Sequence, residues 1–352
     1  MKIQSSKAES WFPRVVSARS QSLLSSAATF RVCSKVVSRL ALFGLLALVL
    51  PGTAIAGLVY ETTSPYHHIR VMDSGGIRTL YFDDAMETQM SLANPLQGHF
   101  EYTEFFHMPW LWNTGITSVL TIGLGGGSVQ RSFEHYYPEV RIETVEIDPA
   151  VLEVAKTYFG FKESERQKVS IEDGRVYLRR SRSRYDLIVM DAYVQGRYGS
   201  SIPQHLATKE FFELARDHLS TNGLVAYNVI GSVNAWRSDV VGAIYRTMKA
   251  VFPQVYVFPA RTSGNVVLVA TKAGVRADVA PLRKRAVMLR ESGRIQLPAF
   301  LQRLESFSAA TPPNALRSPI LTDDYAPTEG LSAESRFGGS TSRTNRQPQG
   351  VR

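Results

Sequence analysis

From residue 115 onward the chain alternates short apolar runs with stretches whose apolar residues recur every three or four positions. The runs are SVLTIG (118–123), RIETVEID (141–148), KVSIEDG (168–174), YDLIVMDAY (185–193) and GLVAYNVIG (223–231). The amphipathic stretches follow them at 128–137, 149–159, 175–182, 208–220 and 234–252. Strand and helix in alternation predict an α/β fold with a doubly wound parallel sheet. VYVFPARTSGNVVLVAT (255–271) then places two apolar strands around Arg261–Gly264, so the last strand should run antiparallel. Upstream, 60–113 reads as strand-like, and HHIRVMDSGGIRTLYFDD (67–84) reads as a β-hairpin turning at Asp73–Gly76. The predicted organisation is a basic arm (1–39), an apolar segment (40–59), a small N-terminal β-domain (60–113), an α/β domain (114–330) and a disordered Ser/Arg/Gln/Gly-rich tail (331–352).

Charge changes the picture less than its total suggests. The net charge of +9 resides at the two ends: 1–40 carries +6 and 331–352 carries +3, which leaves the middle neutral. A neutral body argues against a phosphate-binding face, so no nucleic-acid partner is expected. The lone Cys33 excludes an internal disulfide and a cysteine-built zinc site. LALFGLLALVLPGTAIAGLVY (40–60) follows the basic arm and reads as a secretory signal ending at Ala54–Ala56, or as a tilted anchor extending to Tyr60. The positive-inside bias then leaves 1–39 cytoplasmic and everything after Tyr60 on the far side. Membrane anchoring or export is therefore expected, with a cytoplasmic protein as the alternative where the segment is not used; the 39 preceding residues are long for a signal and point to a start further in.

Candidate chemistry gathers at the strand ends. In open α/β sheets ligands bind at the carboxyl ends of strands, where a glycine turn meets a helix N-terminus. Gly123, Gly125, Gly126 and Gly127 occupy that place, although GLGGGS lacks the third glycine of G-x-G-x-x-G. Glu146 ends the second strand and is placed to accept from ribose hydroxyls. Asp173–Gly174 ends the third, where an adenine amino group could donate, and Asp191 ends the fourth. An acidic turn without Lys or Arg suits a cationic sulfonium nucleoside better than a pyrophosphate.

These stretches, with EDGRVYL (172–178) and LATKEFFELARDHLSTNGLVAYN (206–228), resemble the spermidine synthase (polyamine aminopropyltransferase) family over roughly 60–330. SPYHHIRV (64–71), RTLYFDD (78–84) and FEYTEFFHMPWL (100–111) resemble that family's N-terminal β-domain. SSIPQHLATKEFF (200–212) and LTDDYAPTE (321–329) look more like the branch often fused to membrane transporter segments. The resemblance implies a Rossmann-like, class I methyltransferase-type sheet with an antiparallel last strand. It also implies decarboxylated S-adenosylmethionine as co-substrate, with no permanently bound cofactor and no metal. Carried over residue by residue, it makes Asp191 the base near the attacking amine, assigns Glu146 and Asp173 to ribose and adenine, and places His67 and Tyr102 beside the substrate.

Four positions depart from the family pattern. Gly126 stands where the glycine turn has an acid, Val194 where D-x-x-D has its second acid, His67 where a glutamine follows the tyrosine, and Thr103 where Gln or His follows Tyr102. From Ala192 to Leu206 the loop offers no acid, only Arg197, so cation recognition is weakened while the nucleoside contacts remain. Three readings stay open: an aminopropyltransferase acting on an amine with altered specificity; an S-adenosylmethionine-dependent methyltransferase acting on another nucleophile; and a non-catalytic, membrane-associated or exported binding protein. His67, His68, His99 and His107 lack a consistent metal-ligand pattern, and Ser128 and Ser200–Ser201 lack a nucleophile-elbow context. Gly123 and Glu146 alone would also suit a nicotinamide enzyme, against which Asp173–Gly174 and the terminal hairpin argue. EFFHMPWLW (104–112) reads as core of the β-unit, an interdomain contact or the contact of a homodimer.

Overall fold

The computed structural model describes residues 57–196, 199–234 and 239–337. Its larger sheet has the order β12-β13-β11-β8-β5-β6-β7, formed by β5 (Ser118–Ile122), β6 (Arg141–Glu146), β7 (Gln167–Ile171), β8 (Tyr185–Met190), β11 (Leu219–Ile230), β12 (Gln254–Pro259) and β13 (Asn265–Thr271). The strands from β11 to β7 pair in parallel. β13 inserts between β11 and β12 and runs antiparallel to both. This is the methyltransferase-like α/β fold with an antiparallel last strand.

The central strands read as unbroken apolar runs because both of their faces are buried. Leu120, Ile188 and Val225 face one core cluster, while Val119, Leu187 and Leu224 face the other. The connecting helices are α1 (Ser128–Tyr136), α2 (Pro149–Tyr158), α3 (Gly174–Arg180), α4 (Lys209–Asp217) and α5 (Val240–Val251). Side-chain N-caps start four of them: Asp148 for α2, Asp173 for α3, Thr208 for α4 and Asp239 for α5.

A four-stranded antiparallel sheet precedes this core: β1 (Gly57–Thr63), β2 (His68–Ser74), β3 (Ile77–Phe82) and β4 (Ala85–Ser91). β2 and β3 form the expected hairpin, with Ser74 paired to Ile77 across Gly75–Gly76. Ile69, Val71, Leu80 and Met90 pack against Val151, Leu152 and Ala155 of α2 and against Leu124 of the glycine turn. The small sheet is thereby seated over the ends of the central strands.

Four expectations are corrected. Glu101–Leu111 is a 3-10 helix, not strand. Phe105, Phe106, Met108, Trp110 and Leu111 are completely buried in the main core, so they are not the contact of a homodimer. The first residues of the tail predicted to lose order after Gly330 belong to a helix, Thr328–Phe337, because Leu331 is buried in the core and Thr328 Oγ1 donates to the Ile202 carbonyl; residues 338–352 lie outside the described residues. Finally, Gly57–Tyr60 pair with Val71–Asp73 in β1, so an apolar span cannot extend through Tyr60. The remainder of the apolar segment lies outside the described residues, among which no helix is long and apolar enough to cross a membrane.

Candidate active site

A cavity of about 120 Å³ opens over the carboxyl ends of β5, β6 and β8 and beneath the small sheet. Gly123, Gly125, Glu146, Asp173, Gly174, Asp191, His67 and Tyr102 all line it, although they span more than a hundred positions of sequence. Gly127 does not. It is the left-handed N-cap of α1, and the space a Cβ would need there is filled by Phe161 at 2.9 Å.

The floor is made by close backbone approach. Gly123 has φ +101°, and a Cβ on it would stand 2.1 Å from the Asp191 carbonyl oxygen, so β5 can meet the end of β8 only through glycine. Glu146 is buried and receives the Leu124 N–H on Oε2 and the Asp148 N–H on Oε1, each at 3.0 Å. Burial raises its pKa, and these backbone donors oppose the rise. Each oxygen retains acceptor capacity toward the cavity. Asp173 Oδ1 caps α3 by accepting from Arg175 N and Val176 N, while Oδ2 lies 2.6 Å from His205 Nε2. The His205 hydrogen bond holds Asp173 below its ordinary pKa.

Asp191 sits where β8 leaves the sheet. Tyr102 OH donates to its Oδ2 at 3.1 Å and Asn228 Nδ2 to its Oδ1 at 2.9 Å, and Asn265 Nδ2 in turn donates to Asn228 Oδ1 at 3.0 Å. Burial pushes the Asp191 carboxyl up to about 6, against the two hydrogen bonds, which favour the charged form. A carboxylate so poised can accept a proton near neutral pH. His67 is 6% exposed, stacks on Phe82 at 4.3 Å, and has no hydrogen-bond partner for Nδ1. Burial lowers its pKa, so the ring is neutral and presents both a donor and an acceptor. Thr103, at the last of the departing positions, turns its hydroxyl to the Phe100 carbonyl.

The structure accounts for Gly126. Thr88 Oγ1 of β4 accepts the Gly126 N–H at 2.9 Å, and a Cβ at 126 would meet the Thr88 methyl at 2.7 Å and the Phe159 ring at 2.9 Å. An acid there would displace the small sheet.

Sequence reasoning did not single out Glu87, Asn228, Tyr193 or His205. Asn228 carried one signal, a polar residue inside the apolar run LVAYNVI. Glu87 and His205 carried none, being polar residues in half-exposed segments. Among the described residues lining the cavity, Glu87, Glu146, Glu172, Asp173 and Asp191 are acids, and there is no Lys or Arg.

Comparison with known proteins adds independent findings. Residues 99–277 match the model of the spermine/spermidine synthase domain. The chain is 30% identical over 300 residues to a polyamine aminopropyltransferase of Vibrio vulnificus, covering 81% of this chain and 96% of the relative. A shorter match, 35% identical over 145 residues, is to an eEF1A lysine and N-terminal methyltransferase of Xenopus laevis; it covers 40% of this chain and 20% of that one. Among solved structures, the spermidine synthase of Thermotoga maritima superposes with a TM-score of 0.53 at 22% identity, over 70% of this chain and 87% of that one, a likeness of fold.

Proposed function

This chain belongs to the spermine/spermidine synthase family, and from that premise we propose that it is an aminopropyltransferase that uses decarboxylated S-adenosylmethionine to alkylate an amine. The adenosine of the donor lies over Gly123 and Gly125, its ribose hydroxyls donate to Glu146, and its adenine amino group approaches Asp173. The amine nitrogen, aligned at Asp191, attacks the methylene carbon bonded to the sulfonium sulfur. The carbon–sulfur bond breaks, its electron pair returns to sulfur, and neutral methylthioadenosine leaves. The proton lost by the attacking nitrogen passes to Asp191, which Tyr102 and Asn228 hold in place.

The observation that carries this reading is the lining of the cavity: five carboxylates and no Lys or Arg among the described residues. Such a lining attracts a donor whose sulfonium and ammonium are both cationic, and it offers no Lys or Arg among the described residues to the carboxylate that intact S-adenosylmethionine would bring. The same lining weighs against methyl transfer. With Val194 in place of the second acid of D-x-x-D, acceptor specificity is altered, because a dication in the acceptor position needs its counter-charge from elsewhere, and Gly126 leaves the donor's ammonium without the acid that the family's glycine turn carries.

Calorimetric titration of the full chain with decarboxylated S-adenosylmethionine, S-adenosylmethionine and methylthioadenosine tests the proposal, together with mass detection of products from mixed amines. The expected result is preference for the decarboxylated donor and a product heavier by one aminopropyl group. Preference for the intact donor with methylated product, or no binding of any of the three, overturns it.

A further inference from the structure

We propose that Asp323, in the stretch LTDDYAPTE (321–329), is a positioning residue for the base of the donor: acting through Arg175 and His205, it fixes the direction in which Asp173 meets the adenine amino group. This inference rests on the reading of the cavity as a nucleoside site, which gives that stretch no role, and adds to it a device that selects adenine over hypoxanthine.

Asp323 grips Arg175 with both carboxylate oxygens: Nη1 donates to Oδ1 and Nη2 to Oδ2, each at 2.7 Å, across 148 positions of sequence. A bidentate pair of this kind fixes the guanidinium in direction as well as in place. The hydrogen bond lowers the pKa of Asp323 and raises that of Arg175, so it favours the charged form of each. Thr208 Oγ1 donates to the same Oδ1 at 2.7 Å, and the Asp323 N–H donates to Glu210 Oε2 at 3.0 Å. Two residues earlier, Leu321 is completely buried; its carbonyl accepts from the Lys209 N–H at 2.8 Å and its N–H donates to Thr247 Oγ1 at 2.9 Å. The stretch is thus anchored on α4 and α5 before it reaches Arg175.

Arg175 carries the constraint to the cavity. Its Nη1 also donates to the His205 carbonyl at 3.2 Å. His205 follows the hairpin of β9 (Val194–Gly196) and β10 (Gly199–Ser201), and with Pro203 and Leu206 it lines the cavity. Its Nε2 lies 2.6 Å from Asp173 Oδ2, while Asp173 Oδ1 accepts the backbone N–H groups of Arg175 and Val176. A carboxylate has about four acceptor positions, and these contacts fill three of them. The remaining one is on Oδ2, and where His205 stands decides which way it faces. An adenine amino group can donate to that position. A hypoxanthine carbonyl cannot, and would leave a partly buried carboxylate facing an oxygen.

The test is calorimetric titration of the full chain, as wild type, Asp323→Asn, His205→Ala and the double variant, with methylthioadenosine and with methylthioinosine. The wild type is expected to prefer methylthioadenosine by at least about tenfold, the typical worth of a hydrogen bond to a charged group. Asp323→Asn keeps the size and removes the charge, and should reduce that preference about threefold, the scale of a half-exposed ion pair. His205→Ala should reduce it at least as far, and the double variant no further than His205→Ala, because residues acting in one chain of contacts are not additive. An Asp323→Asn variant that keeps the preference, equal weakening of both nucleosides, or additive losses in the double variant would each overturn the inference and leave Asp323 a staple of its own stretch. The His205 side chain is 47% exposed, so its truncation opens no core cavity; unchanged preference in that variant overturns the inference even if Asp323→Asn fails to fold. A wild type that binds both nucleosides equally overturns the inference alone, whereas one that binds neither overturns the nucleoside reading together with it.

Discussion

On the side of the site proposed to take the nucleoside, Glu146 and Asp173 direct carboxylate oxygens to backbone N–H groups of nearby turns, at Leu124 and Asp148 and at Arg175 and Val176. On the side proposed to take the acceptor, Asp191 is held by the side chains of Tyr102 and Asn228, 89 and 37 residues away, and Glu87 approaches a hairpin 113 residues downstream. The first half is part of how the sheet ends; the second exists only where the 3-10 helix, β4, β8 and β11 converge. A site divided this way can change its acceptor without disturbing its donor, since side-chain changes on the second half leave the strand-end turns intact.

The sharpest way to break that comparison is at Asp191. Asp191→Asn should lower kcat by about 10²–10⁴, the usual worth of a positioned general base, with methylthioadenosine affinity unchanged by calorimetry; full turnover in the variant would remove Asp191 from the chemistry. In the wild type, kcat/KM should fall as pH drops through about 6, because the base must be ionised to accept the proton.

Glu146→Ala should weaken methylthioadenosine binding by about 10–100-fold, the cost of hydrogen bonds to a charged acceptor, while leaving the ratio of diamine to monoamine affinity unchanged. A change in that ratio would mean the two halves are not separable. Gly126→Asp should lower stability in thermal melting by about 1–3 kcal/mol through overpacking against Thr88 and Phe159, with no gain in diamine affinity. Improved binding at undiminished stability would show that the small sheet can yield.

The smallest effect is expected at Tyr102. Tyr102→Phe removes one hydrogen bond to Asp191, worth about 0.5–1.5 kcal/mol, so turnover should drop only a few-fold. That bond favours the ionised carboxylate, so its loss raises the Asp191 pKa and shifts the acid limb of the pH profile upward. An unmoved limb would place the apparent pKa on another group.

The meeting of the glycine turn with the strand-end acids was legible in the sequence because its signals are local. An apolar strand, a glycine turn and an acid at the next strand end follow from backbone geometry and occur in fixed order along the chain. Gly123 is required because a Cβ would strike the Asp191 carbonyl, and Asp173 caps the helix that follows it. Residues 101–111 misled because their dense aromatic pattern has no clear period, and burial on all sides, not propensity, holds them as a 3-10 helix in the core. The helix at Thr328–Phe337 was hidden for a related reason: a polar composition suggested disorder, while Leu331 and Thr328 anchor it through contacts distant in sequence.

The sequence by itself determined the alternation of strands and helices, the antiparallel closing hairpin and the three strand-end acids, because each depends on residues within a few positions of one another. Only the tertiary structure decided that Thr88 and Phe159 occupy the room an acid at 126 would need, that His205 reaches Asp173, and that Glu87 of the small sheet meets Ser200. Those contacts are made by seating the small sheet on the strand ends, a packing driven by burial of Ile69, Val71 and Leu80 against α2. Hydrophobic burial carries no label for which polar side chains it brings together.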